Sequence, residues 1–451
     1  MSTENDNALR SVPEIPIFVE PSQHARVAER LARREALVDA RLISQVQAIF
    51  EQVRLGGDAA LLAATGEHDG VTLATLRVPA HEVARAVDEL PSELRTAIDL
   101  AGARISRVNQ GLLAQDRIVE MEPGVSVGEL FRPLEAVALW IPCRKGPLLS
   151  TALMLVSAAR VAGVKRIVAM MPARADGSAD PGTLAASSLA GATEHLLGNG
   201  VALIAAATHG SECLPRVAGV FGPGPGGIAV AMGLAGMFGL KTVVGIGPTD
   251  CAVLADDSAD ARLVAWDLAS EAEHGPDSAS LLVTTSQRFA CAVAEQLAGI
   301  IRASAEPRRS NLLSVFGAAG RGMLVVCPDF SAACALTAEF APEHLSIVCC
   351  AERRAEALER AVAGEILVGE STPFAAANYA IGITAVLPTN GTARALSGIT
   401  ARDMQRTMTF AELDAAALAR LGPTIEVLAR YEGLPCHAAA AKERYCPTSC
   451  G

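Results

Sequence analysis

The chain has 451 residues and a formal net charge of -11, with 51% of its residues hydrophobic and 19% charged. That balance excludes a disordered chain and supplies apolar material for more than one core. An acidic protein with three Tyr and two Trp also makes a poor nucleic-acid surface, so no nucleic-acid partner is expected. The longest apolar stretch, 226–240, is too short and glycine-rich to span a bilayer, and Lys241 closes it, so no membrane partner is expected. The opening MSTENDNALR lacks the basic start and apolar run of a secretory signal, which makes the cytoplasm the expected compartment. Eleven scattered cysteines without a Cys-x-x-Cys pair are expected to be reduced and mostly buried.

In chain order, the first 115 residues read as helical with a small strand component. Ile43, Val46, Ile49, Phe50 and Val53 recur at helical spacing, and Gly56-Gly57 is expected to stop that helix. A second periodic stretch covers 80–107, residues 120–135 look extended, and Pro133 marks a boundary. Short β-branched runs then alternate with alanine-rich helices. Strands are expected at 136–141, 166–170, 201–206 and 217–221, with a helix at 150–162. A second series of strands follows at 242–245, 252–254, 280–284, 323–327, 345–349 and 366–368, with helices at 259–273 and 288–303. This alternation predicts two parallel-sheet α/β domains. Residues 371–391 are loop-rich, and the remainder reads as a separate helical tail carrying Glu432 and His437.

Eight histidines occur, so each can be weighed. His24, His68, His81 and His195 sit among ordinary polar or helical residues and read as surface or satisfied side chains. His209 follows an expected strand and could line a cleft. Glu271 and His274 are three apart at the end of a helix, a spacing that aims two metal ligands from one face but also describes many solvent pairs. Glu343 and His344 follow Ala341-Pro342 and precede a buried strand. An acid beside an imidazole there could remove two different protons, or merely cap a core strand. The segments 221–225 and 247–250 are glycine-proline loops through which backbone can approach a ligand. No Gly-x-Gly-x-x-Gly turn opens a helix after the first strand.

Taken in this order, the segments resemble the histidinol dehydrogenase family over about residues 40–445. The likeness runs through Val53-Arg-Leu-Gly-Gly-Asp58, Pro147-Leu-Leu-Ser-Thr151 with Met154, Phe221-Gly-Pro-Gly224 and Ala272-Glu-His-Gly275. It continues through Ala341-Pro-Glu-His-Leu345, Leu387-Pro-Thr389, Ser397-Gly398, and Glu432-Gly-Leu434 with His437. The resemblance implies an α/β fold of two incomplete Rossmann-like parallel-sheet domains, with a helical N-terminal region and a helical tail exchanged across a homodimer. The corresponding boundaries are 1–118, 119–240, 241–395 and 396–451.

The same resemblance implies one zinc ion per chain and NAD-linked oxidation of a small-molecule amino alcohol to the acid, with L-histidinol as the substrate. His344 would take the alcohol proton and Glu343 would activate water at the aldehyde stage. Zinc would be held by Glu271, His274, Asn378 and His437, and Thr249, His344 and Glu432 would join these residues around the substrate. Trp140, Ala202 and Pro225 fall at the family's cofactor positions. Several positions depart from the family pattern. Glu271 stands for glutamine and Asn378 for aspartate, so amide and carboxylate have exchanged places while the ligand inventory is kept. Trp140, Ala202 and Pro225 replace tyrosine, glutamine and asparagine, and Pro225 offers no amide hydrogen. Pro142-Cys143-Arg144 replaces Pro-Gly-Gly, bringing Arg144 and Lys145 within possible reach of phosphates. Thr249 replaces serine, and Ala385 replaces a histidine before Val-Leu-Pro. These departures keep open a paralogue acting on another small polar alcohol, such as a sulfonated diol, and a noncatalytic binding protein on the same fold.

Overall fold

The structure, a computed structural model, describes residues 14–32, 38–224, 226–243, 247–384 and 386–446, with Lys145 described by its backbone alone. It divides into two compact units: Met1–Leu112 with Glu135–Met404, and Leu113–Leu134 with Gln405–Gly451.

The larger unit begins its described part with β1 (Ile17–Val19) and is built on two parallel sheets. The first contains β4 (Ala136–Trp140), β5 (Arg166–Met171), β6 (Glu194–Leu197) and β7 (Gly219–Phe221) in the order β6-β5-β4-β7. The second joins β1 to β8 (Asp250–Ala255), β9 (Ala279–Thr284), β10 (Met323–Val326), β11 (His344–Val348) and β12 (Glu365–Val368). Its order is β1-β10-β9-β8-β11-β12. β8, β9, β10 and β11 are buried at every position, as strands covered on both faces must be.

Chain order reverses beside β4 in the first sheet, between β4 and β7, and beside β8 in the second, between β8 and β11. Ligands in open α/β sheets usually gather at such crevices, off the carboxyl ends of the strands. The first sheet follows that rule, offering Trp140 and the turn after Phe221. The second offers its amino ends instead: Asp250, His344 and Glu365 each open a strand there.

Several local expectations are corrected. The run 201–206 is not a strand but lies inside the helix Gly200–His209. Asn199 settles this by capping it, its Oδ1 accepting from the Val201 and Ala202 amides. Residues Ala202–Thr208 are all buried, which suits a helix apolar on every side. Gly56-Gly57 kinks rather than ends the helix Ala40–Asp69: Gly57 takes φ 54°, and the Glu212 carboxylate receives the Asp58 amide at 2.9 Å, restarting the helix. Thr242 and Val243 join no strand, and residues 244–246 lie outside the described ones. The short strands β1 and β6 carry too few residues for any sequence period to show.

In the smaller unit, β2 (Arg117–Glu122), β3 (Val125–Pro133) and β13 (Gln405–Leu413) form an antiparallel sheet in the order β13-β3-β2. The tail therefore begins with a nine-residue strand before its helices Ala415–Tyr431 and Pro435–Tyr445. Asp414 caps the first of these through the Ala417 amide, 2.7 Å away. Val427, Leu428 and Tyr431 are exposed on that helix, Tyr431 at 93%.

Candidate active site

The helix Ala261–Ala272, capped by Asp260, carries Glu271 on its last turn with only 1% of its surface exposed. His274 lies just beyond, its Nε2 3.6 Å from a Glu271 oxygen. Asn378, on the short helix Phe374–Tyr379, donates its amide to the other Glu271 oxygen at 3.4 Å. A flipped Asn378 amide would present its oxygen at the same place. Glu271 is thus the meeting point of a helix end and a loop helix more than a hundred residues apart.

His344, opening β11, reaches the same carboxylate directly, and Glu343, just before the strand, reaches it through Thr249. Thr249 donates its hydroxyl to Glu343 at 2.7 Å and stands 3.3 Å from Glu271. His344 Nε2 lies 3.5 Å from Glu343 and 3.8 Å from Glu271. Asp250, opening β8, fixes this corner through backbone: it receives the Glu343 amide at 2.7 Å and the Asn390 amide at 2.6 Å. The turn before Glu343 holds Ala341 at φ 44°, a left-handed conformation that a residue with a Cβ adopts only where its surroundings enforce it.

Carboxylates outnumber cations here. Burial raises the Glu343 pKa to about 8, with His344 opposing and Asp250 adding to the rise. Burial favours a neutral His344, but the Glu343 and Glu271 carboxylates and the bond to Glu365 outweigh it and raise its pKa to about 10. One turn before Glu271, burial and the Glu271 charge raise Asp267 to about 7. Such a cluster is short of positive charge. Glu271, His274 and Asn378 offer it the oxygen and nitrogen donors of a zinc site. Among the described residues, however, no three His, Cys, Asp or Glu side chains are placed to hold a metal by themselves.

A cavity of about 590 Å³ runs from this cluster to the carboxyl ends of β4 and β7. Thr249, His274 and Glu343 line one side, Trp140, Arg144 and Gly222 the other. Gly200 permits the close wall there, since a Cβ would lie 2.7 Å from the Trp140 ring. Arg144 is more than half exposed and paired at 2.5 Å with Asp69, the last residue of the kinked helix. Asn199 donates to the same Asp69 carboxylate at 3.0 Å while capping its own helix, so that helix end is already closed by a side chain.

The structure places Thr249, Glu271, His274, Glu343, His344 and Asn378 in one cluster. Trp140 lines the cavity, whereas Ala202 is fully buried in the core beneath it. Pro225 and Ala385 lie outside the described residues. Glu432 ends one tail helix and His437 lies in the first turn of the next, both exposed in the smaller unit. His209, half-buried, packs edge-on between Phe50 and the exposed Phe238 and does not line the cavity. His195 is buried on β6 and bonded to Ser187 at 3.0 Å. Sequence reading missed Asp250 and Glu365: each opens a strand, and the partners they hold lie 93 and 21 residues away.

A two-sheet α/β fold with an acid lining a cofactor-sized cavity and a buried imidazole beside it has the make-up of an oxidoreductase. The histidinol dehydrogenase family model matches residues 32–445. A histidinol dehydrogenase of Xylella fastidiosa is 36% identical over 423 residues, covering 93% of this chain and 96% of the relative. One from Bacteroides thetaiotaomicron is also 36% identical, covering 92% and 95%. The crystal structure of histidinol dehydrogenase from Elizabethkingia anophelis superposes with a TM-score of 0.89 at 29% identity, covering 96% of this chain and 98% of that one. The chain belongs to the histidinol dehydrogenase family and is a dehydrogenase. Among the described residues, no helix is long and apolar enough to cross a membrane.

Proposed function

We propose that this enzyme oxidises L-histidinol to L-histidine through the aldehyde, in histidine biosynthesis, with NAD as hydride acceptor. The observation that carries the reading is the convergence of Glu343, His344 and Thr249 on Glu271, with Thr249 and Glu343 lining the cavity. Once a cation offsets the carboxylate charge that raises its pKa, His344 Nε2 takes the alcohol proton as the hydride leaves the adjoining carbon. Glu343, buried beside it, takes a proton from the water that adds to the aldehyde, and a second hydride transfer completes the acid. Thr249 holds the Glu343 carboxylate in place.

Glu271, His274 and Asn378 would hold zinc together with His437 supplied by a second copy of the chain. Zinc there would bind the amine and imidazole nitrogens of the substrate and offset the surplus of carboxylates. Glu432, from the same tail, would complete the substrate site. The exposed Val427, Leu428 and Tyr431 give that tail an apolar face to bury in a homodimer. On the cofactor side, NAD would lie along Trp140 and the Gly222-Pro223-Gly224 turn. Because Asn199 closes its helix end, a phosphate would be met by Arg144, in competition with its Asp69 partner.

A sulfonated diol is the second reading, and Arg144 favours it, since a guanidinium facing the cavity also suits a sulfonate. A panel of alcohols read by NADH absorbance, with and without added zinc, separates the two. Turnover of L-histidinol supports the first reading, and turnover only of a sulfonated diol supports the second. No turnover and no NAD binding would overturn both in favour of a noncatalytic protein.

A further inference from the structure

His344 has two ring nitrogens, and the proposed chemistry uses only Nε2. Its Nδ1 lies 2.5 Å from a carboxylate oxygen of Glu365. The two residues are register partners on the parallel strands β11 and β12, and both are buried. Glu365 occupies an inward position of β12. The next inward residue is Leu367, whereas Ile366 between them faces out, so the strand pattern calls for an apolar side chain where the acid stands. A buried carboxylate is costly unless it is paired. Only one Glu365 oxygen is bonded to His344, and the other finds no hydrogen-bond partner among the described residues. The backbone holds the pair in register: the Glu365 amide donates to the Glu343 carbonyl at 2.9 Å. Gly364 permits that approach, since a Cβ there would lie 2.6 Å from the same carbonyl oxygen.

We propose that Glu365 is a positioning residue for His344. Its carboxylate accepts the Nδ1 hydrogen, which fixes the ring's orientation and leaves Nε2, on the side of Glu271 and Glu343, as the nitrogen that exchanges a proton. When Nε2 takes the substrate's hydroxyl proton and the hydride passes to NAD, the Nδ1 hydrogen stays in place. The carboxylate then neighbours the imidazolium that results. An imidazole held by a buried acid on one nitrogen and acting through the other is a general device for base catalysis. The inference rests on reading His344 as the base.

The test compares Glu365→Leu and His344→Asn with wild type, using zinc-loaded enzyme, L-histidinol and NAD. Leucine suits the strand pattern, so a merely structural role for Glu365 predicts unchanged or improved behaviour. A positioning role predicts that kcat falls roughly a hundredfold or more while KM and zinc content stay within about threefold. A second readout needs no turnover: in histidine-labelled enzyme, the strongly bonded Nδ1–H of His344 gives a far-downfield proton resonance. That resonance disappears in both variants. Wild-type kcat in Glu365→Leu, or a downfield proton that survives it, overturns the inference. If His344→Asn is inactive while Glu365→Leu is fully active, only the positioning role fails; if His344→Asn is itself active, the base assignment fails. Should Glu365→Leu not fold, Glu365→Gln is read against the downfield resonance and the same kcat threshold.

Discussion

Glu271 and Asn378 are the two residues whose chemistry most needs explaining, because one carboxylate and one amide share a site with His274. If they ligate zinc, the carboxylate supplies the negative charge and the amide a weaker oxygen donor. Glu271→Gln would then leave two neutral amides and two imidazoles, and zinc affinity should fall by roughly ten- to a hundredfold. The double change with Asn378→Asp restores the charge from the other side and should restore the metal. Zinc content after dialysis against a graded chelator reads this directly, and full retention in the single variant would remove Glu271 from the ligand set. A second prediction follows from the neighbouring acid. Glu343→Gln keeps the bulk of the side chain and its reach to Thr249 but cannot accept a proton. Aldehyde oxidation, which needs an activated water, should fall about a hundredfold or more, and alcohol oxidation far less. Supplying alcohol and aldehyde separately and finding equal losses would refute this division of roles.

His195 shows how one strand carries a pH dependence far from the chemistry. It sits at 5% exposure on β6, and burial lowers its pKa from 6.5 to about 4. The folded protein therefore resists protonating it. Above the unfolded pKa neither state binds the proton and nothing is lost. As pH falls from about 6.5 toward 4, the unfolded state binds it first, so stability falls; at pH 5 the loss is about 2 kcal/mol. Urea unfolding at pH 8 and pH 5 should show that difference shrink in His195→Gln, and an unchanged difference would assign the acid sensitivity elsewhere. Elements of this kind were legible where a period could accumulate, as in the helix Gln287–Ala303. They were not legible at 201–206, where an unbroken apolar run fits helix and strand alike and only the Asn199 cap decides. The site divides the same way. Glu343 and His344 are adjacent and Glu271 and His274 share a helix end, so sequence grouped them. Glu365 meets His344 only because parallel strands bring their first residues into register, which no local spacing encodes.

At the scale of the whole molecule, the question is which chain completes each site. Thr249, Glu271, His274, Glu343, His344 and Asn378 belong to the larger unit, and Glu432 and His437 to the smaller. If the tail serves a second copy, two lesions placed in different units should complement. His344→Ala damages the site on its own larger unit, while His437→Ala damages the site its tail reaches. In a mixed, tail-exchanged dimer, one site then receives both lesions and the other neither. Random reassociation makes half of the dimers mixed, and each of these holds one intact site of two, so about a quarter of wild-type activity should return. If each tail served its own chain, every site in the mixture would carry one lesion and nothing would return. The measurement is activity after denaturation and co-refolding of the two inactive variants, with mixed dimers verified by differential tagging. Activity that stays at the level of the separate variants despite verified mixing would rule the exchange out, and would return His437 to the chain that carries it.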